Sequence, residues 1–133
     1  MPRERVTLAL MGMDQHENGI VAVGRILREA QMGVAYLGKF QTPEKVAEQA
    51  IRDGAQVVGI SCHSWEYLDL IPALVQTLRQ KGSRIPVVIG GSVITAADAQ
   101  RMKEAGVAAV FPAGALDLDI IEAIRNLAKD GTP

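Results

Sequence analysis

The chain has 133 residues, 48% of them hydrophobic and 22% charged, with 14 Lys+Arg against 15 Asp+Glu and a formal net charge of −1. That is the make-up of one compact domain over residues 1–133, long enough to bury roughly two-thirds of its unfolded surface without staples, and without the concentrated basic face that nucleic acid needs. A lone cysteine, Cys62, excludes an intramolecular disulfide framework and zinc sites built on several thiolates. No segment approaches the roughly 18 apolar residues of a membrane span, and the start Met1-Pro2-Arg3-Glu4-Arg5 lacks the apolar stretch of a signal peptide, so a cytoplasmic protein is expected.

Short β-branched runs alternate with stretches of helical period, beginning with a strand predicted over Val6 to Met11. A long loop, Gly12 to Gly19, leads to a helical stripe of Ile20, Val23, Leu27 and Ala30, then to a second strand over Gly33 to Leu37. Thr42-Pro43-Glu44 opens a second helix with a capping hydroxyl, a proline at the first position and an early acid, and Gly54 closes it. A third strand over Val57 to Ser61 precedes the stripe Leu68, Ile71, Leu74, Val75, Leu78, which Gly82 ends and in which Pro72 marks the first turns or a kink. A strand over Pro86 to Ile89, a helix from Ala96 to Ala105 stopped by Gly106, a strand over Ala109 to Phe111 and a last helix carrying Leu118, Ile121, Ile124 and Leu127 almost to the C-terminus complete the chain.

Five strand–helix units predict an α/β, flavodoxin-like (Rossmann-like) three-layer sandwich with a parallel sheet of order 2-1-3-4-5 flanked by five helices. Such a sheet binds ligands in the crevice beyond the carboxyl ends of its first and third strands. The first of those loops holds Asp14 two residues before His16; in an extended segment both side chains point one way, so the carboxylate can hold one imidazole nitrogen while the other faces the crevice. A surface loop with an incidental histidine is the competing reading. Ser61-Cys62-His63-Ser64 follows the third strand and Gly90-Gly91-Ser92 the fourth, where adjacent glycines serve either a tight turn or the close passage of a ligand. The third strand does not end in a receiver's phosphoacceptor aspartate. Both common nucleotide fingerprints are absent, and Met13 to Asn18 lacks the Ser/Thr-rich phosphate loop of a flavodoxin.

Asp14-Gln15-His16-Glu17-Asn18-Gly19, then Ser61-Cys62-His63, then Gly90-Gly91, in that order and spacing, resembles the fingerprint of the cobalamin (vitamin B12)-binding domain of the B12-dependent mutases and methionine synthase. Phe40 to Ala47, Val57 to Ser61 and Glu104 to Phe111 are particularly similar to methylmalonyl-CoA mutase and its relatives. The resemblance implies that His16 replaces the cofactor's own benzimidazole as lower axial ligand of cobalt, with Asp14 orienting it. It places Gln15, Glu17 and Asn18 on the ligating loop, Gly19 beside the displaced nucleotide tail, Ser61 hydrogen-bonding toward the base, and Gly90 and Gly91 along the tail's slot, with His63 and Ser92 as further candidate cofactor-binding residues on the neighbouring loops. It implies adenosylcobalamin, whose Co–C homolysis starts a carbon-skeleton rearrangement of an acyl-CoA such as methylmalonyl-CoA or 2-hydroxyisobutyryl-CoA. It implies a heterotetramer with a larger TIM-barrel subunit that binds the acyl-CoA.

Three departures stand out. Gln15 replaces a frequent glycine, Leu10 stands where the family places a lysine near the acid, and His63 replaces leucine. At His63 the sequence leaves open contact with the tail, pairing with Glu66, competition for a metal, or simple packing. A non-catalytic cobalamin carrier, delivery or sensor module is the alternative class, though the five residues before the first strand are too few for the helical bundle that such modules place there. An interaction scaffold without cobalamin is a third.

Overall fold

The computed structural model describes residues 3–130. The elements are β1 (Arg5–Ala9), α1 (Glu17–Glu29), β2 (Gly33–Tyr36), α2 (Pro43–Arg52), β3 (Val57–Ser61), α3 (Tyr67–Gln80), β4 (Val87–Gly90), α4 (Ala96–Glu104), β5 (Ala109–Phe111) and α5 (Asp117–Asp130). All strands are parallel and ordered β2-β1-β3-β4-β5, the order expected.

Alternation along each strand divides the core between two faces. Val6, Leu8, Val57 and Val88 pack with Ile20 and Leu27 of α1 and Ile120 and Ile124 of α5. Ala9, Val58, Ile60, Val87 and Ile89 pack with α2, α3 and Met102 of α4 on the other side. Helix boundaries follow local chemistry: the Thr42 hydroxyl accepts from the Lys45 N–H at 3.1 Å ahead of Pro43, and Gly54, Gly82 and Gly106 take positive φ just beyond α2, α3 and α4. Pro72 lies within α3, in its second turn.

The bounds of β1, β2 and β4 differ from expectation, β1 starting at Arg5 and β2 stopping at Tyr36. β1 stops at Ala9 because the Leu10 N–H donates to the Gly38 carbonyl and Met11 bridges Gln41, so the chain pairs there with the loop after β2. β4 starts at Val87 and takes in Gly90, whose neighbours in register are Ser61 and Phe111. Among the described residues no helix is long and apolar enough to cross a membrane.

Candidate functional site

The loop after β1 is tied down before it reaches its chemistry. Gly12 turns with φ +66°, and a Cβ there would stand 2.8 Å from a Glu66 carboxylate oxygen and from Leu70. The same carboxylate accepts the Met13 N–H at 2.8 Å. Asp14 then turns inward, only 4% exposed. Its Oδ1 accepts from the His16 backbone N–H at 3.0 Å and lies 2.9 Å from His16 Nδ1, while Oδ2 accepts the His63 N–H at 2.7 Å. Burial pushes the carboxyl's pKa up, but the two backbone donors and the imidazole outweigh it and hold Asp14 below its ordinary value.

The expected Asp14–His16 contact is present, by a different geometry from the extended one. His16 has φ −86° and ψ 78°, and the Glu17 N–H donates to the Gln15 carbonyl at 3.0 Å, an inverse γ-turn centred on the histidine. α1 starts at the next residue. With Nδ1 given to Asp14, the His16 ring stands 67% exposed and its Nε2 has no partner among the described residues. An oriented nitrogen lone pair, backed by a carboxylate, is what a metal-ligating imidazole presents.

Beneath this rim a cavity of about 290 Å³ opens between the sheet, α1 and α5. Its walls are Leu8, Ile20, Val23, Val88, Ile120 and Ile124, with Phe111 and the Pro112 to Ala115 loop along one side. Ser61, His63, Gly90, Gly91, Ser92 and Gly19 line it as well, so three loops singled out by sequence converge here. Ser61 is 9% exposed, and its hydroxyl has no partner among the described residues.

The glycines do different jobs. A Cβ on Gly91 (φ +151°) would run into the Cys62 carbonyl, so the turn itself demands glycine. A Cβ on Gly19 would meet His63 Nε2 at 3.7 Å and Ser61 Oγ at 3.9 Å, ordinary contacts, so the fold does not require glycine there; its effect is to keep the mouth clear. Gly59 was not singled out by sequence. It lines the cavity, and a Cβ there would stand 2.7 Å from Leu8; a lone glycine inside an apolar central strand was the available signal.

His63 does not pair with Glu66, which holds Met13 and, at 3.3 Å, the Ser64 hydroxyl. Its ring lies 5.4 Å from that of His16, and its Nδ1 is 3.4 Å from Ser92 Oγ. Gln15 and Asn18 are exposed and outside the cavity lining. Glu17 is turned to β2, where it accepts from the Tyr36 hydroxyl at 2.6 Å and pairs with Lys39 at 3.5 Å. Leu10 is fully buried in the core, and Asp14 is supported by main-chain N–H groups instead of a lysine. Cys62 is buried, and burial followed by the nearby Asp14 charge pushes its thiol far up. Among the described residues no cluster of three His, Cys, Asp or Glu could enclose a metal.

Residues 4–122 match the B12 binding domain family. The chain is 37% identical to the 2-hydroxyisobutanoyl-CoA mutase small subunit of Aquincola tertiaricarbonis, across 92% of this chain and 90% of that protein. It is 33% identical to the methylmalonyl-CoA mutase large subunit of Streptomyces virginiae and to the methylmalonyl-CoA mutase of Escherichia coli (strain K12), in each case spanning 18% of the longer protein. Among solved structures, a cobalamin-binding protein from Desulfitobacterium hafniense DCB-2 superimposes with a TM-score of 0.82 at 20% identity, over 94% of this chain and 59% of that one. The receiver domain of the response regulator NarL from Mycobacterium tuberculosis does so at 0.75 and 16%, over 97% and 98%. These two show the shared flavodoxin-like fold. The family match covers most of the chain, and the protein belongs to the B12-binding domain family, as a cobalamin-binding domain related to an acyl-CoA mutase small subunit.

Proposed function

We propose that this chain is the cobalamin-carrying small subunit of a heteromeric, adenosylcobalamin-dependent acyl-CoA mutase, with His16 as the lower axial ligand of cobalt and the cofactor's own base displaced into the slot. The observation that carries this reading is the exposed imidazole of His16, held through Nδ1 by the buried Asp14 at 2.9 Å and lying 5.4 Å from the ring of His63, which lines an apolar cavity. The likeness to the Aquincola tertiaricarbonis small subunit over nine-tenths of both chains supports the assignment to a separate subunit.

The residues present fit the cofactor. His16 offers one free nitrogen, Gly19 leaves the entrance open, and the unpartnered Ser61 hydroxyl waits in a cavity walled mostly by hydrocarbon, as a flat heteroaromatic base requires. Gly90, Gly91, His63 and Ser92 complete that lining. When bound, adenosylcobalamin supplies the radical chemistry of a carbon-skeleton isomerisation. This chain's part is to ligate, orient and keep water from the buried base. Substrate binding falls to a larger TIM-barrel subunit in a heterotetramer, a reading supported by the likeness to a mutase small subunit; the substrate is an acyl-CoA of the 2-hydroxyisobutanoyl or methylmalonyl type.

The test is electron paramagnetic resonance of cob(II)alamin bound to protein carrying ¹⁵N-labelled histidine, beside His16→Ala. The isotope must change the nitrogen hyperfine splitting in the first protein, and the splitting must disappear in the second. Unchanged spectra in both remove the axial-ligand assignment. Activity on a panel of acyl-CoAs, measured only after mixing with the large subunit, tests the mutase assignment separately.

A further inference from the structure

We infer that His63, steadied by Ser92, is a second recognition residue for the cofactor: it donates through Nε2 to the ribose–phosphate part of the nucleotide tail and makes the domain select corrinoids with a complete tail. The inference rests on the cobalamin reading above and adds a selectivity that His16 alone does not provide.

Three observations carry it. The slot is hydrocarbon except for side-chain polar atoms of Ser61, His63 and Ser92, so any polar part of a ligand must meet one of these or the main chain. The His63 ring flanks that of His16 at 5.4 Å, at the rim. A tail hanging from the ring that His16 ligates must pass this rim first, leaving its apolar base to reach Val88, Ile120 and Ile124. Finally, His63 is already aimed. Its N–H is fixed to Asp14 at 2.7 Å, its Nδ1 lies 3.4 Å from the Ser92 hydroxyl, and its Nε2 faces the start of α1, 3.7 Å from where a Gly19 Cβ would stand. Nε2 has no partner among the described residues. In the tautomer in which Ser92 donates to Nδ1, Nε2 carries the proton, and an N–H at this point suits a phosphodiester oxygen, an anion also favoured by the N-terminus of α1.

The experiment compares two corrinoids, hydroxocobalamin and aquocobinamide, the second lacking the nucleotide. Both are titrated into wild type, His63→Leu, His63→Gln, Ser92→Ala and His16→Ala, with binding read from visible absorbance. A hydrogen bond to a charged group implies that His63→Leu weakens cobalamin at least about tenfold and leaves cobinamide unchanged. His63→Gln, which keeps an N–H, retains most of the affinity, and Ser92→Ala falls between. Equal losses for both corrinoids would mean that His63 acts by supporting the His16 ring, which overturns the inference; so would no loss, or a Gln variant as weak as the Leu variant. Failure of the axial-ligand reading is visible elsewhere, as a bound spectrum unchanged in His16→Ala, whereas His63 is read from the ratio of the two affinities.

Discussion

Gly19 occupies the third position of α1, and there the interests of helix and cavity oppose each other. Glycine in a helix is roughly 0.5–1 kcal/mol worse than alanine. In the first turn the lower figure applies, so Gly19→Ala should stabilise the cofactor-free protein by about 0.5 kcal/mol and raise Tm by about 2 °C. No clash cancels this gain, since the new methyl would touch His63 Nε2 and Ser61 Oγ only at 3.7 and 3.9 Å. Those atoms line the cavity, so the same methyl occupies space that the nucleotide tail crosses in the proposed reading. Overpacking by one methyl group or more costs about 1–3 kcal/mol, which predicts a cobalamin affinity about tenfold lower for Gly19→Ala and about a hundredfold lower for Gly19→Leu. Gly24 is the control: it lies in the same helix, outside the cavity lining, and a Cβ there would make contacts no closer than 3.5 Å. Gly24→Ala should raise Tm and leave binding unchanged. The assay pairs thermal melts of apo-protein with hydroxocobalamin titrations followed by quenching of Trp65, the sole tryptophan, 61% exposed. If Gly19→Leu binds cobalamin as tightly as wild type, the tail does not pass this point and the slot assignment is wrong.

Other positions give sharper yes-or-no outcomes. Asp14→Ala strands the His16 and His63 N–H groups in a buried site and should cost about 2–3 kcal/mol, read from the urea midpoint, with Asp14→Asn milder because it keeps one acceptor. Gly91→Ala drives a methyl into the Cys62 carbonyl and should cost about 2–4 kcal/mol or abolish folding, with or without ligand. Tyr67 is pushed up to about 12 from 10.0 by burial and then by its hydrogen bond to Asp98. Its contribution is therefore whole below pH 10 and is lost as pH climbs through 12, so alkaline unfolding should set in earlier for wild type than for Tyr67→Phe relative to their neutral-pH stabilities. Cys62 should resist Ellman's reagent at pH 8 until the chain is denatured, because burial keeps the thiol protonated and covered; rapid labelling of the native protein would contradict the packing around Gly91.

Sheet order and the loops that matter were legible because the patterns that encode them are local: apolar runs, capping residues at Thr42-Pro43-Glu44, glycine stops at Gly54, Gly82 and Gly106. The Asp14–His16 contact was legible from spacing, yet its turn was not, because an inverse γ-turn depends on where the next helix begins. The support of Asp14 was invisible for a similar reason. It comes from the main chain of His63, and an amide donor has no sequence signature; only the missing lysine at Leu10 hinted that something else must serve. Leu10 and Met11 read as strand because their side chains are apolar, but their partners lie in the loop after β2. The two adjacent glycines were ambiguous in sequence, and the structure separates them: Gly91 is a backbone necessity, while a Cβ on Gly90 would stand 3.4 Å from the Phe111 carbonyl oxygen along the cavity wall, tight but without the clash found at Gly91.

A single side chain, Asp14, clasps the imidazole of one crossover and an amide of another. The proposed cobalt-ligating arm and the proposed gatepost at the tail's entrance thus hang on one carboxylate. A rotamer flip of His16 alone would release only the imidazole and leave Asp14 still holding the His16 and His63 amides, so an amino-acid change at position 14 registers in both crossovers together.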